Sequence, residues 1–418
     1  MSSFSVALSG LSASEQGLNV ISNNLANLNT VGYKDQTANF QTLFYQNLGT
    51  DGAGDPIQVG AGVNVSSVST NFDNGTVNDT GVPSDVAITG NGFFITQAAN
   101  GSVQYTRAGD FSVNNLGQLV TADGDTVMGY QAVNGVVKQS ATLAPLYVGQ
   151  SVVSPPAATT TMSQQTNLNS SAAVGTTYSV PLTVYDSLGQ AHVLTFNYTN
   201  TAAGAWTYTI TLPAADTGGT GNPTTISTGN LTFNSDGDLA TPAGNSITGI
   251  AITGLADGAA NMNLTWDLTA PSGGSLMTQV AAASATATTN QNGYASGTLQ
   301  SYTVEADGTI DGQFSNGQVQ PLGQIALANF ANPQGLQLTG SNDYVPTLSS
   351  GAAVVGAPET AALGTLTGGA LEASNVDISQ EFTNLIVTQR GFEANARMIT
   401  TLDTVTNDTV NLQATPGN

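Results

Sequence analysis

The amino-acid sequence predicts a mainly β protein with one α-helix at each end of the chain. Large apolar residues recur at steps of three and four near both termini, which is the spacing of one helix face. Between the termini, β-forming residues alternate or cluster between turns of Gly, Asn and Asp. The composition shifts at two internal points, which indicates two or more discontinuous or inserted β domains.

The first helix is predicted from an apolar stripe that begins at Phe4. Side chains at this spacing lie above one another along a helix. Gly10 and Gly17 weaken the prediction, because each costs about 1 kcal/mol of helix propensity relative to Ala. The stripe comprises Phe4, Leu8, Leu11, Leu18, Ile21, Leu25 and Leu28.

The second helix is predicted from a matching stripe near the end of the chain. Ser374 followed by Asp377 has the spacing of an N-cap with an acidic third position, and Pro416 with Gly417 predicts the stop. The Thr-rich run at 400–409 is a poor helix former. The stripe comprises Ile378, Phe382, Leu385, Phe392, Ala396 and Ile399.

The two helices are predicted to pair as a coiled-coil-like core. Full burial of the large apolar residues of the first stripe would contribute about 10 to 20 kcal/mol. Ordering the backbone costs about 1 to 2 kcal/mol per residue, so the balance is narrow. Either the ends become helical only when they pack against each other and against neighbouring subunits, or they form an ordinary pair that closes one domain. The spacing leaves both possibilities open.

The middle of the chain is predicted to hold strands in two β domains. Helical periodicity is absent there, and the strongest strand patterns lie at 86–96, 118–130, 178–185, 192–198 and 302–314. A Pro, Ala and Thr stretch at 154–161 and an Ala, Thr and Gln stretch at 281–292 suggest boundaries. The predicted parts are a helical core of 1–30 with 375–418, a connecting segment of 31–72 with 355–374, a β domain of 73–150 with 290–354, and an inserted outer β domain of 151–289.

The composition excludes several classes of function. The 418 residues include no cysteine and one histidine, so disulfides, thiolate metal sites and multi-histidine centres have no ligands. With 5 basic against 27 acidic residues and a net charge of −22, neither nucleic acid nor an anionic membrane surface is expected as a partner. The first 33 residues lack Lys and Arg and no long apolar run occurs, so we expect neither a cleavable signal nor membrane insertion.

No catalytic, cofactor or metal residues are predicted. His192 shares a strand face with apolar neighbours and has no nucleophile signature nearby, so it is interpreted as structural. The acidic loop at 234–238 resembles a calcium loop but has Asn245 where the bidentate acid belongs. A β-rich glycosidase with paired carboxylates is the enzyme alternative, but its candidates all lie in turns with glycine: Asp123, Asp125, Asp307 and Asp311.

Both ends of the chain resemble the bacterial flagellar rod and hook protein family. The resemblance rests on LSGL at 8–11, ISNNLAN at 21–27 and NTVGYK at 29–34, with GALEASNVD at 369–377 and QRGFEANARM at 389–398. DVAITGNGFF at 85–94 and YTRAGDF at 105–111 resemble the outer β domain of the family. The sequence motifs that resemble the hook members of the family are FSNGQ at 314–318, LGQIALANF at 322–330 and NPQGL at 332–336.

The resemblance implies a structural subunit rather than an enzyme. The hook-like motifs and the insertion at 151–289 favour a hook subunit. A distal rod protein, which would be shorter and lack the insertion, remains the alternative. Such a subunit would leave the cell through the flagellar type III export channel without a cleaved signal, polymerise under a hook cap, and form a flexible universal joint around the channel. Its expected partners are copies of itself, the distal rod, the hook cap, the hook-filament junction proteins and the export apparatus, at an extracellular location in the hook and basal body.

The resemblance also implies which residues form the self-assembly core. Apolar residues of the two stripes would meet within and between subunits, and the asparagine amides would bond nearby backbone or line the channel. A frayed helix end at 27–32 is the alternative explanation of the asparagines. The implied core consists of Leu8, Leu11, Leu18, Ile21, Asn23, Asn24, Leu25, Phe382, Leu385, Phe392 and Ile399.

Overall fold

The computed structural model describes residues 2–50, 52, 55–133, 135–139, 142–149 and 151–414. Within these residues the chain is mainly β with one α-helix at each end, which confirms the predicted fold class. The predicted stop at Pro416 and Gly417 lies outside the described residues. Internal contacts divide the chain into unit 1 (1–149, 301–312 and 320–418) and unit 2 (150–300 and 313–319).

The two helices are α1, Ser2–Ala26, and α2, Ile378–Ala414. Leu28 was expected to continue the first stripe but lies in a turn beyond α1. The predicted cap at Ser374 is also wrong, because Asp377 caps α2 by accepting hydrogen bonds from the backbone N–H groups of Ser379 (2.8 Å) and Gln380 (3.1 Å). The acidic side chain is the better acceptor for the positive end of the helix.

The Thr-rich end of α2 is helical despite its low propensity. Hydroxyl groups on this segment donate to backbone carbonyls one turn earlier, as Thr404 does to Thr400 (3.0 Å) and Thr409 to Val405 (2.7 Å). These bonds satisfy the hydroxyl groups within the helix itself. The low propensity of the run therefore does not end the helix, which continues to Ala414.

Strands joined by short turns occupy most of the chain between the helices. Before residue 150 they are β1 Gln36–Thr42, β2 Gln46–Thr50, β3 Pro56–Val59, β4 Val63–Thr70, β5 Val77–Asp79, β6 Val86–Thr89, β7 Phe93–Gln97, β8 Val103–Thr106, β9 Ser112–Val113, β10 Leu119–Val120, β11 Thr126–Val133, β12 Val136–Val137 and β13 Ala144–Pro145. The next strands are β14 Val153–Ser154, β15 Thr161–Asn169, β16 Thr177–Tyr185, β17 Ala191–Ala202, β18 Ala205–Leu212, β19 Thr224–Phe233, β20 Leu239–Thr241, β21 Ser246–Ile252, β22 Met262–Asp267, β23 Met277–Val280 and β24 Ala285–Gln291. The last strands are β25 Gly297–Val304, β26 Thr309–Phe314, β27 Val319–Ile325, β28 Leu327–Asn329, β29 Gln337–Gly340, β30 Asp343–Val345, β31 Val354–Gly356, β32 Thr365–Gly368 and β33 Ala370–Glu372.

Unit 1 contains a sheet in which β27, β11, β7, β8, β30 and β29 lie side by side in that order, each antiparallel to the next. Phe93 and Phe94 of β7 are both buried but belong to different apolar clusters. Successive side chains on a strand point to opposite faces, so both faces of this sheet are covered. The strands β32 and β33, which precede α2, pair with β6 and β5, which follow β4. The two ends of the chain are therefore brought together in unit 1.

A two-stranded ribbon lies along α1 in unit 1. It consists of β1 and β4, which pair antiparallel. The backbone N–H of Val63 donates to Ser9 Oγ at 3.2 Å, and the ring of Phe40 approaches Gly17. The ribbon therefore covers part of the surface of the helix.

Unit 2 is built from two sheets that share one core. The first has the order β16, β17, β18, β19 and β20, and the second has the order β21, β22, β15 and β23 with β24 paired to β15. Trp206 from the first sheet and Trp266 from the second are fully buried in the shared cluster. The ring of Trp266 lies 5.0 Å from that of Phe196, centroid to centroid, so aromatic packing joins the two layers.

Candidate functional site

The two terminal helices pack against each other in opposite directions along a line of small residues, which we call the helix seam. A Cβ atom on Gly10 would lie 2.8 Å from Nδ2 of Asn395, so any larger residue here would require the Asn395 side chain to move. Successive contacts advance along α1 and retreat along α2, as antiparallel helices require. The contacts that define the helix seam are Gly10 with Asn395, Ser14 with Gly391, and Gly17 with Thr388.

The residues implied as the self-assembly core do not all face this seam. Ile21 and Asn24 are buried within the chain. Leu8, Asn23 and Phe382 are exposed. The remaining residues are half-buried: Leu11, Leu18, Leu25, Leu385, Phe392 and Ile399.

Large apolar side chains lie exposed along α1 and α2, and we call this exposed set the outer apolar face. On α2, Phe382 is 52% exposed and Val387 is 65% exposed, although both are large and apolar. Residues 403–411 of α2 are exposed without interruption. The other members are Phe4, Val6, Leu8, Ile378, Ile386, Met398, Val405 and Val410. Large apolar side chains left exposed on an element in this number are typical of a surface that contacts another protein.

Asn24 joins the end of α1 to the strand that follows, and its side-chain amide makes four hydrogen bonds. Its Nδ2 donates to Asp35 Oδ1 (2.6 Å) and to the carbonyl of Gln36 (2.7 Å). Its Oδ1 accepts from the hydroxyl of Tyr33 (3.1 Å) and from the backbone N–H of Gln36 (3.1 Å). The asparagine at this position therefore fixes the direction in which the chain leaves the helix.

The same junction holds two acidic groups close to Asn24. Burial raises the pKa of Glu381, and the charge of Asp35 raises it further. Burial also raises the pKa of Tyr33 to about 12, with smaller contributions from Asp35 and Glu381. Glu381 lies in the first turn of α2 and its charge acts on Tyr33, whose hydroxyl is bonded to Asn24 of α1, so the junction connects both helices.

A buried ion-pair cluster lies just beyond the junction. Lys34 Nζ lies 2.7 Å from Glu372 Oε1, and Arg107 NH1 lies 3.4 Å from Glu372 Oε2. Glu372 Oε1 also accepts from the backbone N–H of Gly75 (2.9 Å). Burial lowers the pKa of Lys34, and attraction to Glu372 opposes that effect. Because these side chains come from distant parts of the chain, the cluster ties the segments next to the two helices to the β sheet.

The acidic turns that suggested other chemistry have turn geometry. Asn234 Oδ1 accepts from the backbone N–H groups of Asp236 and Asp238, both at 2.9 Å, which closes the calcium-like loop as a turn. Asp307 accepts from the backbone N–H of Thr309 at 2.9 Å in the same manner. Asn234 and Asp307 are thus accounted for by local backbone bonding, whereas Asp311, which was predicted to lie in a turn, lies in β26.

Sequence reasoning missed the small residues of the helix seam and the buried partners of the junction. Gly10 and Gly17 were weighed only as residues that weaken the helix, although their spacing of four and three from Ser14 places all three on one face. That spacing is the signal that could have found the seam. Glu372 and Glu381 carry no comparable signal, because their burial depends on contacts with residues far away in the sequence.

Four family models match successive parts of the chain. They are the flagella basal body rod protein at 4–34, the flagellar hook protein FlgE/F/G D1 domain at 87–165, the flagellar basal body protein FlaE D2 domain at 153–294, and the flagellar basal body rod FlgEFG protein C-terminal at 367–412. Neither helix contains, within the described residues, an apolar stretch long enough to cross a bilayer.

Curated relatives match along the whole chain. The flagellar hook protein FlgE of Salmonella typhimurium is 40% identical over 428 aligned residues, covering 98% of this chain and 100% of the relative. That of Escherichia coli is 38% identical, with 98% and 100% covered, and that of Treponema pallidum is 32% identical, with 99% and 100% covered. With this coverage and identity, the chain belongs to the flagellar hook protein family, whose members are structural subunits rather than enzymes.

Proposed function

We propose that this chain assembles with copies of itself into the tube of the flagellar hook, and that α1 and α2 form its self-assembly core. The observation that carries the proposal is the outer apolar face on both helices. An isolated chain leaves side chains such as Phe382 and Leu8 largely in water, at 52% and 49% exposure. Neighbouring copies that cover this face remove that surface from water and gain about 25 cal/mol per Å² of apolar area.

The core residues then divide into two roles. Ile21 and Asn24 stabilise the helix pair and its junction inside one subunit, since both are buried there. The exposed and half-buried residues form contacts between subunits, led by Leu8, Leu11 and Phe382. On this proposal, the exposed end of α2 at 403–411 is covered by another subunit rather than by α1.

The β units act as the outer part of the tube and carry torque. Each of the four predicted parts has its own place in the tube. The helical core of 1–30 with 375–418 encloses the export channel. The segment of 31–72 with 355–374 connects this core to the β domain of 73–150 with 290–354. The domain of 151–289 lies outermost. Sliding contacts between copies let the tube bend while it turns, so that it works as a universal joint between rod and filament.

The proposed partners follow from this place in the flagellum. Besides copies of itself, the chain contacts the distal rod, the hook cap, the hook-filament junction proteins and the export apparatus. It reaches an extracellular position by type III export without a cleaved signal. Assembly must overcome the repulsion of subunits that each carry a net charge of −22.

The test is electron microscopy of concentrated protein with a matched pair of variants. Leu11 is half-buried in the isolated chain, so Leu11→Asp places a charge where a neighbouring copy is expected. We expect tubes from the unaltered chain and from Leu11→Met, and none from Leu11→Asp, while the near-ultraviolet circular dichroism of unit 2 stays unchanged. Tubes of normal yield from Leu11→Asp would refute the proposed core.

A further inference from the structure

The only histidine of the chain lies in a cluster of carboxylates at one end of unit 2. His192 of β17 is 4% exposed and shares the buried strand face with Leu194 and Phe196, as its alternation predicts. Its two ring nitrogens, however, contact acidic side chains that the sequence does not place there. Nδ1 lies 3.0 Å from Asp216 Oδ2, and Nε2 lies 3.0 Å from Asp186 Oδ2 and 3.8 Å from Asp257 Oδ2.

Backbone bonds orient the two carboxylates on the Nε2 side. Asp186 Oδ1 accepts from the backbone N–H groups of Leu188 (2.8 Å) and Gln190 (2.9 Å), which leaves Oδ2 turned toward His192. Asp257 Oδ1 accepts from the backbone N–H of Ala259 at 3.0 Å, which leaves its Oδ2 on the same side. Each carboxylate therefore has one oxygen anchored by the backbone and the other directed at Nε2.

The loops that supply these groups are also held together. The backbone N–H of Ala256 donates to the carbonyl of Asp216 at 2.9 Å, and that of Ala260 donates to Ser187 Oγ at 3.0 Å. Asp186 follows β16 in the first sheet of unit 2, whereas Asp257 lies between β21 and β22 of the second sheet. The cluster thus joins the two sheets at one end of their shared core.

From this arrangement we propose that His192, Asp186 and Asp257 bind a divalent cation of the Zn²⁺ class. One atom from each of the three lies within 4.8 Å of the others. Ligands at about 2.0 to 2.2 Å from a tetrahedral ion are about 3.3 to 3.6 Å apart, a spacing that the distances of 3.0 and 3.8 Å at Nε2 bracket. Imidazole with carboxylate oxygen is a donor set that suits zinc.

Asp216 completes the site as a positioning residue. Metal-binding histidines almost always donate the second ring N–H to a carboxylate or carbonyl, which fixes the tautomer. Asp216 Oδ2, at 3.0 Å from Nδ1, accepts that bond and directs the Nε2 lone pair toward Asp186 and Asp257. Three carboxylates around one imidazole also leave an excess of negative charge, which a divalent cation neutralises. The side chain of Asp257 is 29% exposed, so an ion has access from solvent.

The experiment titrates Zn²⁺ into the full chain after chelator treatment, with calorimetry and histidine ring NMR as readouts. Because the chain has one histidine, the ring signals report on this site without assignment. We expect one strong site per chain and a shift of the ring signals that saturates at the same stoichiometry. Ring signals that stay unchanged at saturating Zn²⁺ would overturn the proposal and leave His192 as an imidazolium held by its carboxylates.

Matched variants separate a designed site from adventitious binding by an acidic protein. Asp257→Asn removes a partly exposed ligand and should weaken binding at least tenfold, whereas Asp236→Asn changes an exposed acid of the same unit and should have no effect. Asp216→Asn should weaken binding about 10- to 100-fold without abolishing it, as expected of a positioning residue. Equal affinity of the Asp257→Asn and Asp236→Asn variants would refute the site.

Discussion

Replacing Phe382 with alanine tests whether the outer apolar face is the contact between subunits. The side chain is 52% exposed in the isolated chain and lies on α2. Alanine is the best helix former, so the helix itself is not weakened by the change. Any loss of assembly would therefore come from contacts with other copies.

The expected loss can be worked from the exposed fraction. Full burial of a phenylalanine contributes about 1.5 to 3 kcal/mol, so the half of Phe382 still in water corresponds to about 1 kcal/mol per subunit. Since about 1.4 kcal/mol is tenfold in an equilibrium constant, the critical concentration for assembly should rise about fivefold. If the neighbouring subunit cannot close the space left behind, the cost approaches about 3 kcal/mol, or roughly a hundredfold.

The assay is sedimentation of seeded polymer over a range of protein concentrations, with Ile21→Ala as the control. Ile21 is 8% exposed and faces the interior of unit 1, so its loss should reduce the free energy of unfolding by about 2 to 5 kcal/mol. Phe382→Ala should leave that free energy nearly unchanged. An unchanged critical concentration for Phe382→Ala would show that this face is not a subunit contact.

Four further results are expected. Glu372→Gln leaves two buried cations without their carboxylate and should lower the free energy of unfolding of unit 1 by about 3 to 5 kcal/mol in urea; a loss below about 1 kcal/mol would contradict the buried ion-pair cluster. Asn24→Ala removes four hydrogen bonds of a buried amide and should cost about 2 to 4 kcal/mol in the same measurement, whereas the exposed Asn23→Ala should cost less than about 1 kcal/mol. Burial, with Asp125 and Asp123 nearby, raises the pKa of Asp343 to about 6, so its protonated form is favoured in the folded state. Its stabilising contribution is present below about pH 4 and is lost as the pH rises through 6, a change of about 2 to 3 kcal/mol that Asp343→Asn should remove from the pH profile of unfolding. Added salt should increase polymer yield by screening the repulsion between subunits, and a yield that falls steadily with salt would argue against apolar contacts as the driving force.

Periodicity predicted the helices well but could not predict which face each side chain occupies. The apolar stripe of α1 was expected to meet the stripe of α2, yet the helix seam consists of small residues such as Gly10 and Gly391, and Phe382 faces solvent. An apolar stripe shows only that a face is to be covered, not by what. Small residues allow two backbones to approach closely, so they form the intramolecular contact, and some bulky residues, such as Leu8 and Phe382, are left exposed.

The contacts of buried polar residues were even harder to predict from the sequence than those of apolar residues. The Asn24 amide was expected to bond nearby backbone or line the channel, but its partners became identifiable only with the junction that brings Asp35 and Gln36 back to it. His192 was placed correctly on a buried strand face, and its three carboxylate neighbours were not predicted. Burial of a polar group depends on long-range contacts that satisfy it, and a local pattern contains no information about them.

The fold class, the two terminal helices, the exclusion of thiol and multi-histidine chemistry, and the resemblance to flagellar rod and hook proteins all follow from the amino-acid sequence. These properties are local: they depend on spacing, propensity and residue type. The fold was needed to show that small residues form the helix seam, that Glu372 pairs with two buried cations, and that three acids surround the single histidine. Most of these contacts join residues tens to hundreds of positions apart, so they exist only once the chain has folded.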